Sequence, residues 1–211
     1  MPARRLFVKI CGITRAADAV AAAEAGADAV GFVFWGKSPR AIDPKTARAI
    51  AAGLPPSIVR VGVFVDARPE ELRRIADEAE LDVLQLHGTE PPESLLGLPR
   101  RCWKAVGVGR DFVAADALRY EGKAAGILLD SRREGAPGGT GRAFDWSLAR
   151  EVRKRASFLL LAGGLVPENV AAAVRAVGPD GVDVSSGVES APGRKDEARL
   201  KAFIEAARRA S

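Results

Sequence analysis

Lys9 and Cys11 stand two positions apart in an apolar run, and the same spacing separates Gln85 from His87 and Asp183 from Ser185. Alternate residues of a strand share a face, so each pair points one way. A thiol beside an ammonium group is a candidate base or nucleophile, because the positive charge favours the thiolate. Asp130 closes another apolar run as a candidate acid–base group, and Arg40 offers a planar fork that suits a carboxylate. Singly, each has a plainer reading. Cys11 reads as a small buried hydrophobe, Asp130 as a loop cap, Arg40 as a solvated charge and His87 as a loop-orienting side chain. Gln85 and Lys104 read as groups that satisfy the rim of the fold. Their joint arrival at the ends of successive apolar runs favours chemistry.

Three glycine-rich segments follow the last three of those runs: Gly135-Ala-Pro-Gly-Gly-Thr-Gly141, Ala162-Gly-Gly-Leu165 and Ser185-Ser-Gly-Val-Glu189. Glycine lets backbone N–H groups approach an anion, which makes Gly139, Gly141, Gly163, Gly164, Ser186 and Gly187 candidates for holding a phosphate. Taken one at a time, the glycines read equally as turn formers.

These residues need a scaffold that brings strand ends together. Apolar runs predict strands at 7–11, 29–34, 59–65, 83–86, 102–106, 126–130, 158–162 and 182–185. Helical periodicity predicts helices at 16–25, 44–52, 69–79, 92–96, 112–118, 146–155, 167–177 and 195–209. Asp43 before Pro44, and Pro167 ahead of Glu168, are helix-start signals. Strands recur about every 25 residues, and runs such as Ile127-Leu-Leu129 are apolar on both faces, as buried parallel strands must be. The expectation is an α/β fold: one single-domain (β/α)8 TIM barrel over residues 1–211, with an eight-stranded parallel sheet and its site at the C-terminal strand ends. Cys102 would open its strand at the opposite end, as packing.

Composition narrows the chemistry. The 211 residues are 47% hydrophobic and 28% charged, which fits a globular chain with a sizeable core. Neither a membrane span nor a signal peptide is legible, so a cytoplasmic protein without membrane association is expected. The net charge of +5 is scattered rather than blocked, which argues against nucleic acid as a partner. One histidine and two cysteines 91 positions apart offer no clustered zinc framework, and no dinucleotide or triphosphate fingerprint is present, so chemistry without a transition metal, a dinucleotide or a nucleoside triphosphate is expected. Arginine outnumbers lysine 24 to 8, and Asn169, Gln85 and Met1 are single, a bias compatible with heat adaptation or with a GC-rich genome.

Several motifs occur together: Lys9-Ile-Cys-Gly-Ile-Thr14, Gly31-Phe-Val-Phe34, Ser38-Pro-Arg40, Gln85-Leu-His-Gly88, Leu128-Leu-Leu-Asp-Ser131, Gly138-Gly-Thr-Gly141, Phe144-Asp-Trp146 and Asp183-Val-Ser-Ser-Gly-Val-Glu189. In this order and spacing the chain closely resembles the phosphoribosylanthranilate isomerase family of tryptophan biosynthesis, from about residue 7 to the final helix, with no departure at a position expected to act. The resemblance implies a cofactor-free Amadori rearrangement of N-(5-phospho-β-D-ribosyl)anthranilate to 1-(2-carboxyphenylamino)-1-deoxy-D-ribulose 5-phosphate. It assigns Cys11 as general base and Asp130 as general acid. Arg40 would hold the anthranilate carboxylate and the glycine segments the phosphate. Lys9, Gln85, His87, Asp183 and Ser185 would bind or orient the substrate. These roles call for a lowered pKa at Cys11 and a raised one at Asp130. Family members are monomers or dimers, and heat adaptation would favour a homodimer.

Competing readings are another phosphosugar barrel enzyme, such as an indole-glycerol-phosphate synthase or a phosphopentose epimerase, or a phosphosugar-binding barrel without turnover. Metal-dependent epimerisation calls for several histidine and carboxylate ligands, which a single histidine does not supply.

Overall fold

The computed structural model describes residues 5–131 and 144–211. Eight parallel strands close into a barrel in sequence order: β1 (Phe7–Cys11), β2 (Ala29–Val33), β3 (Val59–Phe64), β4 (Val83–Leu86), β5 (Arg101–Val108), β6 (Gly126–Ser131), β7 (Leu159–Leu161) and β8 (Gly181–Val184). The seam is made by β1 on β8, where Lys9 lies opposite Asp183. Around it run α1 (Ala16–Glu24), α2 (Pro44–Ala51), α3 (Pro69–Glu78), α4 (Ala114–Leu118), α5 (Trp146–Arg153), α6 (Val170–Val177) and α7 (Glu197–Arg209). This is the expected (β/α)8 barrel. No helix among the described residues is long and apolar enough to cross a membrane.

Strand parity divides the core in two. Val61, Val83, Trp103, Ala105, Leu128 and Leu160 point inward, while Val8, Ile10, Val30, Phe32, Leu84, Ile127 and Leu129 pack under the helices. At the N-terminal end Phe7, Trp103 and Phe158 meet pairwise with ring centroids 5.8–6.0 Å apart and floor the barrel. Such pairs add about 0.5–1.5 kcal/mol each beyond their burial. The floor leaves the other end of the same strands for polar groups. Cys102 faces the helix layer, buried, and loss of hydration pushes its thiol up to about 12.

The helix starts follow local chemistry. Asp43 Oδ1 accepts from Thr46 N at 3.0 Å with Pro44 in the first turn, and Asp196 Oδ1 accepts from Arg199 N at 2.9 Å. Three expectations need correction. Residues 92–96 form only a 3-10 turn (Pro92–Leu95), because the segment is too short to bury a helical face. Helix α6 starts at Val170 rather than at Pro167. Lys195 does not open the last helix: an unanticipated hairpin, β9 (Glu189–Ala191) on β10 (Arg194–Lys195), precedes α7.

Candidate active site

The site is built from the β1–β8 seam outward. Lys9 Nζ donates to Asp183 Oδ1 at 2.9 Å, and Lys9 is 0% exposed. Burial pulls the Lys9 ammonium down, but the carboxylate of Asp183 and the neighbouring Cys11 outweigh it and hold its pKa above the ordinary lysine value. One step up the strand, Cys11 shares that face. Its partner on β2 is Gly31, where a Cβ would stand 2.9 Å from Cys11 Sγ and 3.1 Å from Lys9 Nζ. Only glycine leaves room there for both side-chain ends.

The thiol does not have the lowered pKa expected of it. Burial pushes Cys11 up, Asp183 adds to the rise, and the cations Lys9 and Lys195 offset only part. Desolvation of a thiolate outweighs two nearby charges because one of them, Lys9, is already paired with Asp183.

Asp130 reaches the same rim from β6, which is separated from β1 by β7 and β8 on one side. It lies opposite Gly107 on β5, and strand β6 continues one residue past it to Ser131. His87 Nε2 is 3.2 Å from Asp130 Oδ2, and His87 Nδ1 is 3.4 Å from Gln85 Nε2. The imidazole thus bridges the Gln85 amide and the Asp130 carboxyl. Gln85 is 1% exposed, and its Oε1 has no hydrogen-bond partner among the described residues. A Cβ on Gly163 (φ +80°) would collide with Ser131 N and stand 2.8 Å from Asp130 Oδ1, so the turn after β7 closes directly against the Asp130 carboxyl.

Arg40, in the loop after β2, is already forked: Nε and Nη2 donate to Glu189 Oε1 and Oε2 at 2.7 and 2.6 Å. The hydrogen bonds to Glu189 raise the Arg40 pKa above its ordinary value. Burial alone would raise Glu189, but the Arg40 fork and Lys195 prevail and hold it below the usual carboxylate range. Neither Glu189 nor Lys195 was singled out from sequence. The signal available was the Pro192-Gly193 turn between them, which marks a hairpin rather than a helix start.

Of the phosphate candidates, Gly163 and Gly164 form the turn after β7 with φ of +80° and +67°. Asn169 braces that turn, accepting from Val166 N at 2.8 Å and donating to Gly164 O at 2.9 Å. Ser186 and Gly187 sit in a 3-10 turn (Ser186–Val188) directly after β8 and Ser185. Gly139 and Gly141 lie outside the described residues. Lys104 is not part of the rim's inner face: its ammonium is spent on Leu86 O, Gly88 O, Ala105 O and Glu90 Oε2 at 2.8–3.2 Å, which locks the loop after β4. Among the described residues no three His, Cys, Asp or Glu side chains are grouped as metal ligands would be.

The rim therefore presents a thiol, a carboxyl backed by an imidazole, a carboxylate-paired arginine and two adjacent glycine turns. That set can move protons at two points of a small anionic molecule held between them.

Comparison with known proteins places the chain in a family. The family model for N-(5′-phosphoribosyl)anthranilate isomerase matches residues 8–206. A Pseudomonas fluorescens N-(5′-phosphoribosyl)anthranilate isomerase is 52% identical over 212 aligned positions, covering 100% of this chain and 99% of the relative. A structure of monomers derived from the dimeric Thermotoga maritima phosphoribosylanthranilate isomerase superposes with a TM-score of 0.86 at 46% identity, over 96% of this chain and 98% of that one. A phosphoribosylanthranilate isomerase bound to reduced 1-(o-carboxyphenylamino)-1-deoxyribulose 5-phosphate superposes with a TM-score of 0.84 at 46% identity and the same coverage.

Proposed function

Because the chain belongs to the N-(5′-phosphoribosyl)anthranilate isomerase family of tryptophan biosynthesis, we propose that it rearranges N-(5-phospho-β-D-ribosyl)anthranilate without a cofactor, with Asp130 as general acid and Cys11 as general base. The observation that supports this most is the placement of both groups on one rim, on strands far enough apart to address two neighbouring atoms from different sides.

Asp130 gives its proton to the ribose ring oxygen as the C1′–O bond breaks, leaving a Schiff base between C1′ and the anthranilate nitrogen. Cys11, as thiolate, removes the C2′ proton, and the electron pair moves to make an enolamine. Protonation at C1′ and loss of the C2′ hydroxyl proton give the ketone, so the atoms of substrate and product balance. Lys9 favours the thiolate from the same strand, and His87 orients the acid. Arg40, its Nε and Nη2 already donating to Glu189, faces the anthranilate carboxylate with its remaining N–H groups, while the turns at Gly163-Gly164 and Ser186-Gly187 take the phosphate. Anchoring both anionic ends puts C1′ and C2′ between acid and base, so binding energy far from the reacting atoms favours the chemical step.

The test follows the loss of phosphoribosylanthranilate fluorescence with the purified chain. Cys11→Ala and Asp130→Asn should retain fold and substrate affinity and lose about 10²-fold or more in turnover, the usual worth of a positioned acid or base. Unimpaired rates in either variant would overturn its assigned role. Substrate bound but not consumed by the unaltered chain would make it a binding barrel instead. We further propose a homodimer, the assembly named for the Thermotoga relative. Sedimentation showing a single-chain species at working concentration would refute that.

A further inference from the structure

Lys195 closes the β9–β10 hairpin with its side chain 1% exposed. Its ammonium donates to Cys11 O at 2.6 Å, Ser185 O at 3.2 Å and Glu189 Oε1 at 2.9 Å. These acceptors belong to the end of β1, the residue after β8, and β9. Three protons meet three acceptors, so the group has none left for a ligand. Its own main chain is fixed in turn, with Lys195 N donating to the buried Asp18 Oδ2 of α1 at 3.0 Å. The same Glu189 oxygen also takes Arg40 Nε and Gly193 N, and Thr14 Oγ1 bonds Gly193 O at 2.5 Å.

We propose that Lys195 is a positioning residue for the isomerisation: it ties the main chain of Cys11 to the carboxylate that aims Arg40, so that the base and the cation for the far end of the substrate stand in one fixed register. The inference deepens the reading of Cys11 as base and depends on it. The charged groups that bear on Cys11 are Lys9 on its own strand, Asp183 on β8, Arg40 after β2 and Lys195 on β10. Lys195 thus also favours the thiolate, and its removal makes the base harder to ionise.

The experiment compares the unaltered enzyme with Lys195→Met and Lys195→Arg. In Lys195→Met, kcat should fall roughly 10- to 100-fold, the scale of a 1 Å misplacement, and KM should rise as Arg40 loses its aim. Activity requires the thiolate, so the acid limb of kcat/KM should move to higher pH. Lys195→Arg, which keeps the charge, should return that limb towards its original position. A Lys195→Met protein that melts earlier but keeps kcat, KM and the acid limb would overturn the proposal and leave Lys195 a structural tie. An active Cys11→Ala enzyme would instead overturn the reading of the base. If Lys195→Met does not fold, the unaltered protein decides: with 15N-labelled lysine, the shielded Lys195 Nζ resonance should shift across the pH at which Cys11 becomes alkylated. A signal flat through that pH would overturn the coupling.

Discussion

His87 Nε2 stands 3.2 Å from Asp130 Oδ2, and Gln85 backs the same imidazole from two residues earlier in the chain. An acid held by one directional donor keeps its other oxygen free for the substrate. His87→Ala should therefore lower kcat by up to about tenfold, the worth of one hydrogen bond, while KM changes little. Steady-state kinetics check this; an unchanged kcat would mean that Asp130 is oriented by the Gly163 turn alone.

Lys9 and Asp183 are both buried, so removing one partner strands the other. Lys9→Met should cost about 3–5 kcal/mol in urea unfolding, and Lys9→Met with Asp183→Asn should recover part of it. In the surviving fold the acid limb of activity should move to higher pH, since Lys9 favours the Cys11 thiolate. Equal stability of Lys9→Met and the unaltered chain would contradict the pairing.

Glycine replacements separate space for chemistry from space for the backbone. At Gly31 the atoms nearest an added methyl are the side-chain ends of Cys11 and Lys9 rather than main chain, so those ends must give way. Gly31→Ala should cost about 1–3 kcal/mol, yet reduce kcat by tenfold or more because the thiol is displaced. At Gly163 the methyl meets the main chain of Ser131 at positive φ, so Gly163→Ala should lose more stability than Gly31→Ala. Thermal melts and rates on both variants test the contrast; a Gly31→Ala enzyme with full kcat would refute it.

Glu189 links stability to pH. Its folded pKa lies below the ordinary 4.5, so its contribution is complete above that value and disappears as pH falls through the lower folded one. Melting temperature should drop on acidification below about pH 4.5, and Glu189→Gln, weaker at neutral pH, should flatten that dependence. Parallel acid slopes in the two proteins would show that other carboxylates govern the loss.

The barrel was legible because buried parallel strands must be apolar on both faces, so runs such as Leu159–Leu161 stand out even at three residues. Parity also placed Lys9 with Cys11 and Gln85 with His87. The hairpin escaped because Glu189–Ala191 and Arg194–Lys195 are too short and polar to show a period. The Arg40–Glu189 fork joins residues 149 apart, a distance over which no local pattern speaks. The raised pKa of Cys11 is a balance of burial against Lys9, Asp183 and Lys195, and residue types alone do not give the sign of such a balance.

The seam between β1 and β8 joins the earliest barrel strand to the latest, with Lys9 and Asp183 174 positions apart. Everything that tunes Cys11 apart from Lys9 and Arg40 arrives with the last portion of the chain: Asp183, then Lys195. A polypeptide still lacking that portion carries the Cys11 thiol without two of the groups that set its ionisation in the closed barrel. With Cys11 as the proposed base, chemical competence is thereby reserved for the fully closed ring.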